Sequence, residues 1–338
     1  MRSASWLPQS SGPCNDILWP GRARGPTIFP SARTRGQAVA ATATNILVRL
    51  KRVDIWLPKI VIAPSFAASL FFVYAFIGWT VYISFTRSGV LPRYELAGFV
   101  QYVRLWNTPR WYVALENLVV FGVLFMAICL VVGIILAILL DQRIRAEGAL
   151  RTIYLYPMAL SFIVTGTAWK WILNPTLGIE KLMHDIGFAS FQFDWLVNRK
   201  MAIYTVVIAG VWQSSGYVMA LFLAGLRSID DEIIKAAAID GAGPARTYLG
   251  IILPMLRPVF LSAVIVLSHL AIKSFDLVMA LTAGGPGIAT DLPATFMYAY
   301  AFQRSELGLA AASAVMMLVT IMAVVVPYLY SELRAGRR

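Results

Sequence analysis

Charge, cysteine and histidine are all scarce in this sequence, and each scarcity closes off a class of protein. Charged residues make up 14% of the 338, against about 25% in soluble domains. The two cysteines, Cys14 and Cys129, offer neither the even set of a disulfide framework nor the paired spacing of a zinc site. Histidine occurs only at positions 184 and 269. With no His-Glu-x-x-His helix and no nucleophile spaced to meet a base, an intramembrane enzyme has no motif to rest on. A Gly-x-x-x-x-Gly-Lys-Ser/Thr run is missing too, so the chain lacks the usual cradle for ATP phosphates. What fills the sequence instead is hydrocarbon: 59% apolar residues and a mean hydropathy of +0.71 belong in a lipid bilayer.

Six apolar runs are long enough to cross a hydrocarbon core that needs about 20 residues per helix. They cover 60–84, 118–140, 153–173, 202–226, 259–281 and 309–330. Backbone polar groups in lipid must be paired within their own segment, so these runs are expected as helices despite Pro64, Pro157 and Pro327. The expected fold is an all-α, polytopic membrane bundle of six spans, one domain over 55–335. Residues 1–45 are rich in Pro, Ser, Gly and Arg and lack the apolar core of a secretory signal. They read as a disordered extension.

The net charge of +12 is read as an orientation signal at a membrane surface, not as a nucleic-acid footprint. Nineteen of the 29 Lys and Arg fall in the N-terminal segment, the tail and the loops after spans two and four; eight fall in the alternate loops. The positive-inside rule then predicts both termini in the cytoplasm.

The loop 228–258 between spans four and five carries the most local information. Ser228 and Asp231 have the spacing of a capping box, and Gly241 is a stop signal, so a short helix is predicted between them. Ile229, Ile233, Ala236, Ala237 and Asp240 recur at three and four residues, which makes a small-residue stripe against which a partner could pack. A second short helix is predicted from Ala245 to Leu253, ahead of Leu253-Pro254 and Arg257-Pro258. An amphipathic connector lying on lipid headgroups would satisfy the same pattern.

The residues themselves are more specific. Ala236-Ala237, Ile239-Asp240-Gly241-Ala242 and Leu253-Pro254, with Gly241 ninety-seven residues from the end, resemble the signature loop of permease subunits of bacterial ATP-binding-cassette importers. The resemblance extends over about 55–335. It includes Asn117-Leu118-Val119, the run from Arg151 to Pro157, and Trp169-Lys170-Trp171 with Asn174-Pro175 and Gly178. Phe275-Asp276-Leu277, Leu281-Thr282-Ala283-Gly284-Gly285-Pro286 and the run from Pro293 to Tyr298 look most like the carbohydrate-uptake branch, and within it glucose or mannose permeases. The resemblance implies a MetI-like bundle in the inner membrane whose loop docks on a separate ATPase through Glu232, Lys235, Ala236, Ala237, Asp240, Gly241, Ala242, Leu253 and Pro254. It also implies the partners: two ATPase subunits that use ATP and Mg, a periplasmic sugar-binding protein, and a second, related permease. No cofactor is expected on this chain. Lys235 departs from the family, which usually has Glu there. Either the partner carries an acidic complement, or Glu232, three residues earlier, makes the contact.

Ionisable groups in mid-membrane generally face a wet cavity or a partner. His269, Lys273 and Asp276 recur at four and three residues in span five, with Ser274 beside them, and are predicted to line a pathway along one helical face. A neutral sugar also needs aromatic surface for its C–H face. Trp212, Gln213, Ser215 and Tyr217 on span four and Trp169 on span three are the candidates. Lys273 and Asp276 could instead pair with each other to join helices, and the tryptophans could be interfacial anchors. An ion-coupled carrier is the alternative class; the lack of internal repeats counts against it.

Overall fold

The computed structural model describes residues 59, 61–142 and 145–335. The expected extension over 1–45 lies outside the described residues. Everything described is helical or irregular apart from one isolated bridge between Thr86 and Leu96. The chain divides into two units at Phe72/Val73, inside α1 (Val61–Ser84). The described residues of the first unit are Lys59 and the helical run 61–72, whose side chains are exposed, Phe66 and Phe71 among them. The second unit holds all the remaining helices.

Helix α2 (Val100–Trp106) leads into α3 (Pro109–Asp141). Pro109 at the first helical position loses no hydrogen bond, because that N–H has no partner within a helix anyway. At 33 residues α3 is about 50 Å long, so it overshoots the bilayer core at its ends and runs beyond the predicted 118–140. Its partner at the centre of the fold is α7 (Ala202–Leu226). Phe121, Phe125, Cys129 and Ala137 of α3 meet Val206, Val218, Met219 and Phe222 of α7 in a core closed by Leu267 and Ala271 and by Leu277, Val278 and Leu281.

The third predicted span is not one helix. It is α4 (Glu147–Ala159) and α5 (Phe162–Ile172), bent by 100°. Leu160 and Ser161 are both extended, and Ser161 caps α5 by accepting from the N–H of Val164 at 3.3 Å. α4 runs through Pro157 to Ala159, and the start signal at Ser161 opens a new helix within the continuous apolar run. α4 packs on α7 so closely that a Cβ on Gly216 would lie 1.9 Å from the Tyr154 carbonyl oxygen. Only glycine fits there.

Short helices flank α7: α6 (Ile179–Asp185) precedes it, and α8 (Asp231–Ile239) follows it. Next are α9 (Pro244–Thr247), a wide turn over Tyr248–Ile252, and α10 (Leu253–Met255). The wide turn has a local cause: Pro254 has no N–H and its ring would strike the carbonyl four residues back, so the backbone opens just ahead of it.

The fifth predicted span is also interrupted. α11 (Arg257–Ile272), bent 66° from the segment before it, ends at Lys273, and α12 (Asp276–Leu281) starts afresh. Lys273 therefore sits at the carbonyl end of one helix and Asp276 in the first turn of the next, each where the helix dipole favours its charge. α13 (Pro293–Tyr298) and α14 (Leu307–Ala335) complete the chain. Leu105, Trp111, Phe296, Tyr300 and Leu309 bind them to α2 and α3 in a second core. Among the described residues, four helices are long and apolar enough to cross a membrane, and six if each bent pair counts as one span.

Candidate functional site

The two helix interruptions meet. α12 packs on α5, and between them a cavity of about 120 Å³ is lined by Phe162, Leu270, Lys273, Ser274, Phe275, Asp276 and Leu277. Irregular backbone at membrane depth is tolerated where it is enclosed by protein or lines a wet space. Three of the predicted pathway residues, Lys273, Ser274 and Asp276, are in this lining. They arrive there from a helix break, which corrects the expectation of a single helical face. His269, one turn earlier on α11, is exposed and is not part of the lining. Among the described residues no ion pair joins Lys273 to Asp276.

The rings at this cavity are two phenylalanines, and the predicted tryptophans lie outside its lining. Phe162 and Phe275 line the cavity; Trp169 and Trp212 instead meet edge to face at 5.9 Å between α5 and α7. Phe162 has a readable signal, since it directly follows the Ser161 cap. Gln213 is buried and donates through Nε2 to the Leu160 carbonyl oxygen at 2.8 Å. Ser215 and Tyr217 are half-buried on α7, where Tyr217 packs against the main core.

In the loop between α7 and α11, the cap of α8 is Asp230, which accepts from the N–H of Glu232 at 3.0 Å. Ser228, the predicted cap, donates instead to Gly225 O at 2.7 Å and finishes α7. The C-terminal end follows prediction: Gly241 takes φ +76°, with Ala242 N–H on Ala237 O at 2.9 Å and Gly241 N–H on Ala238 O at 3.1 Å. Those two bonds define a Schellman stop, which needs a left-handed residue at this point.

The predicted stripe on α8 divides. Ala237 is buried, and Ile229 and Ile233 are half-buried, so this line faces the chain itself. Ala236 and Asp240 are exposed, as are Glu232 and Lys235. Ile239 is 86% exposed, three and four residues from Ala236 and Lys235. It shares the exposed side of this helix end with Lys235, Ala236 and Asp240. Lys235 forms no ion pair with Glu232 among the described residues. Ala242 is half-buried behind the stop, while Leu253 and Pro254 form the start of α10, which returns the chain to α11.

Ion pairs sit at both ends of α3. At its N-terminal end Arg110 grips the buried Asp291 with Nε and Nη2, the latter at 3.2 Å from Oδ1. Asn117 Nδ2 donates to Ala289 O and Asp291 O at 2.9 Å each, so α3 holds the loop between α12 and α13 in shape. At the other end Arg227, just past α7, reaches Glu147 Oε1 at 2.5 Å and Asp141 Oδ1 at 3.8 Å.

The described residues thus form a helical chain with long apolar spans, two of them interrupted, whose interruptions enclose a cavity lined by both apolar and polar side chains. The chain belongs to the family described as the inner membrane component of binding-protein-dependent transport systems, which its residues 129–335 match. A probable ABC transporter permease protein of Pyrococcus horikoshii is 40% identical over 269 residues, 79% of this chain and 92% of the relative. The xylose/arabinose import permease of Haloferax volcanii is 41% identical over 268 residues, 78% of this chain and 84% of the relative. The fold is similar to a chain of a solved bacterial ABC transporter for the acidic polysaccharide alginate. That likeness has a TM-score of 0.73 at 19% identity over 86% of this chain and 99% of the other. By its family and its spans, this is a multi-pass inner-membrane protein.

Proposed function

We propose that this chain is one of two membrane subunits of an importer that carries a sugar into the cytoplasm by alternating access, driven by ATP hydrolysed on separate subunits. The observation that carries the reading is the cavity between the two helix interruptions. Phe162 and Phe275 offer apolar faces to a sugar ring, while Lys273, Ser274 and Asp276 offer donors and acceptors to its hydroxyls. The names of the relatives support a carbohydrate or polyol substrate, since they include a trehalose/maltose permease of Thermococcus litoralis and the xylose/arabinose permease. The run 275–298 points to a monosaccharide such as glucose or mannose. Sugar reaches the cavity from a periplasmic binding protein; a solved relative of the same fold is a complex with such a protein. Both termini are cytoplasmic, which puts α8 on the side of the ATPase.

Asp276→Asn tests the pathway. The substitution keeps size and removes the charge, so uptake by the reconstituted complex should fall at least about tenfold while the yield of assembled complex stays within about twofold. Normal uptake with a loss of assembly would make Asp276 a structural residue. Lys235 tests the dock: exposed, and without an ion pair to Glu232, it meets an acidic group on the ATPase. Lys235→Glu should raise the dissociation constant of the ATPase from the membrane subunits at least about tenfold in low salt, an effect that shrinks as salt screens the pair. A salt-independent or absent effect would remove the acidic complement.

A further inference from the structure

The bend between α4 and α5 leaves a backbone carbonyl with no helical partner inside the membrane. Leu160 is extended, and the N–H that would reach its oxygen in an unbroken helix, that of Val164, is taken by the Ser161 hydroxyl at 3.3 Å. The orphan is met from another helix: Gln213 Nε2 donates to Leu160 O at 2.8 Å. The other end of that amide, Oε1, is buried without a partner. Among the described residues a single bond holds the Gln213 side chain, and that bond closes the bend. Since an orphan carbonyl in hydrocarbon is costly, the bend keeps its angle as long as Gln213 stays on Leu160.

The two arms of the bend end at different machinery. α4 begins at Glu147, which is tied to Arg227 at the end of α7, and Arg227 stands three residues before the Asp230 cap of α8. α5 begins at Phe162, a wall of the cavity, and packs along α12. A displacement of the docking loop that takes the end of α7 with it would carry α4 along, through Arg227 and the close Gly216–Tyr154 contact, and change the angle between α4 and α5, with a direct effect on where Phe162 stands.

We propose that the α4–α5 bend is a hinge of the transport cycle, with Gln213 as its positioning residue and the Arg227–Glu147 pair as its tie to the docking loop. The inference rests on the import reading given above. Both states of such a hinge must be stable, and a single amide bond with an unused oxygen is suited to being exchanged between partners as the angle changes.

The test uses the complete complex in proteoliposomes, on a background lacking Cys14 and Cys129. Spin labels go at the exposed Ile153 of α4 and Trp171 of α5. In the unsubstituted chain the label separation should differ by at least ~5 Å between nucleotide-free and ATP-trapped complexes, on the scale of one helical turn. Gln213→Met keeps the volume and removes the donor. It should leave one label separation in both states, lower uptake at least about tenfold, and leave ATP hydrolysis within about twofold but no longer stimulated by substrate. Arg227→Ala and Glu147→Ala should each raise the ATP used per substrate moved at least about threefold, with the double variant no worse than either single. An unchanged separation in the parent complex overturns the hinge, as does a Gln213→Met chain that transports normally. Multiplying effects of the two alanine variants would overturn the tie. If Gln213→Met fails to assemble, the parent's label separations and the alanine cycle still decide. Loss of ATP-dependent uptake in the parent complex would count against the import reading itself, separately from the hinge.

Discussion

Gly241→Val is expected to abolish coupling while the protein still inserts and assembles. The residue stands at φ +76° with nothing within 4 Å of where a Cβ would be, so the added side chain meets no neighbour. The cost is in the backbone. A left-handed conformation costs an ordinary residue about 1–2 kcal/mol, and more for a β-branched one, so the valine would be driven toward φ below zero and the Schellman turn would open. Ile239 and Asp240, at the end of α8, would then leave their positions, and the segment entering at Gly243 would change direction. Uptake should fall at least about a hundredfold, while substrate-independent ATP hydrolysis by the complex remains measurable. Gly241→Ala, which tolerates the conformation better, should fall between. A valine chain that transports as well as the parent would remove the docking assignment of this loop.

The second large effect is an asymmetry within one ion pair. Asp291 has 1% of its side chain exposed and Arg110 has 20%. Removing Arg110 strands a carboxylate that also accepts from Thr295 Oγ1 at 3.2 Å but has no route to water. Removing Asp291 strands a guanidinium that can turn outward. Breaking a buried pair from one side costs about 3–5 kcal/mol. Arg110→Ala should reach that range, and Asp291→Ala should cost clearly less. Thermal unfolding of the purified chain in one detergent compares them. Equal losses would mean that Arg110 is no freer to rehydrate than Asp291, and would contradict the asymmetry. Because Asn117 holds the same loop at Ala289 O and Asp291 O, neither variant should lose the fold entirely.

The membrane class and the helical state are legible in the sequence, because long apolar runs have one solution in lipid. So is the Gly241 stop, because a glycine after a short amphipathic helix has a local meaning. The helix breaks are harder. Between Pro157 and Ser161 the apolar run continues, and the hydropathy that marks a span says nothing of its straightness. At Lys273 to Asp276 no glycine or proline marks the end of α11. The charges themselves are the signal: a cation closing one helix and an anion opening the next match the dipoles of two helices, where a spacing of three and four suggests one face of a single helix. The cap at Asp230 is hidden for a similar reason, since Ser228 has the right spacing but the end of α7 takes it first. Gln213 is legible as a polar residue in a span, but its partner is a backbone carbonyl 53 residues away, and only the folded chain brings the two together.

At the centre stands the claim that this chain moves a sugar when a separate ATPase is engaged on the 228–258 loop. Reconstituting the complex with its binding protein in proteoliposomes and measuring ATP hydrolysis and uptake across a panel of sugars, amino acids and metal ions tests it most directly. The expected result is hydrolysis stimulated by a sugar, with uptake of that same sugar strictly dependent on ATP. Stimulation by amino acids or metals without any sugar would contradict the substrate class, and uptake driven by a proton gradient without ATP would contradict the mechanism.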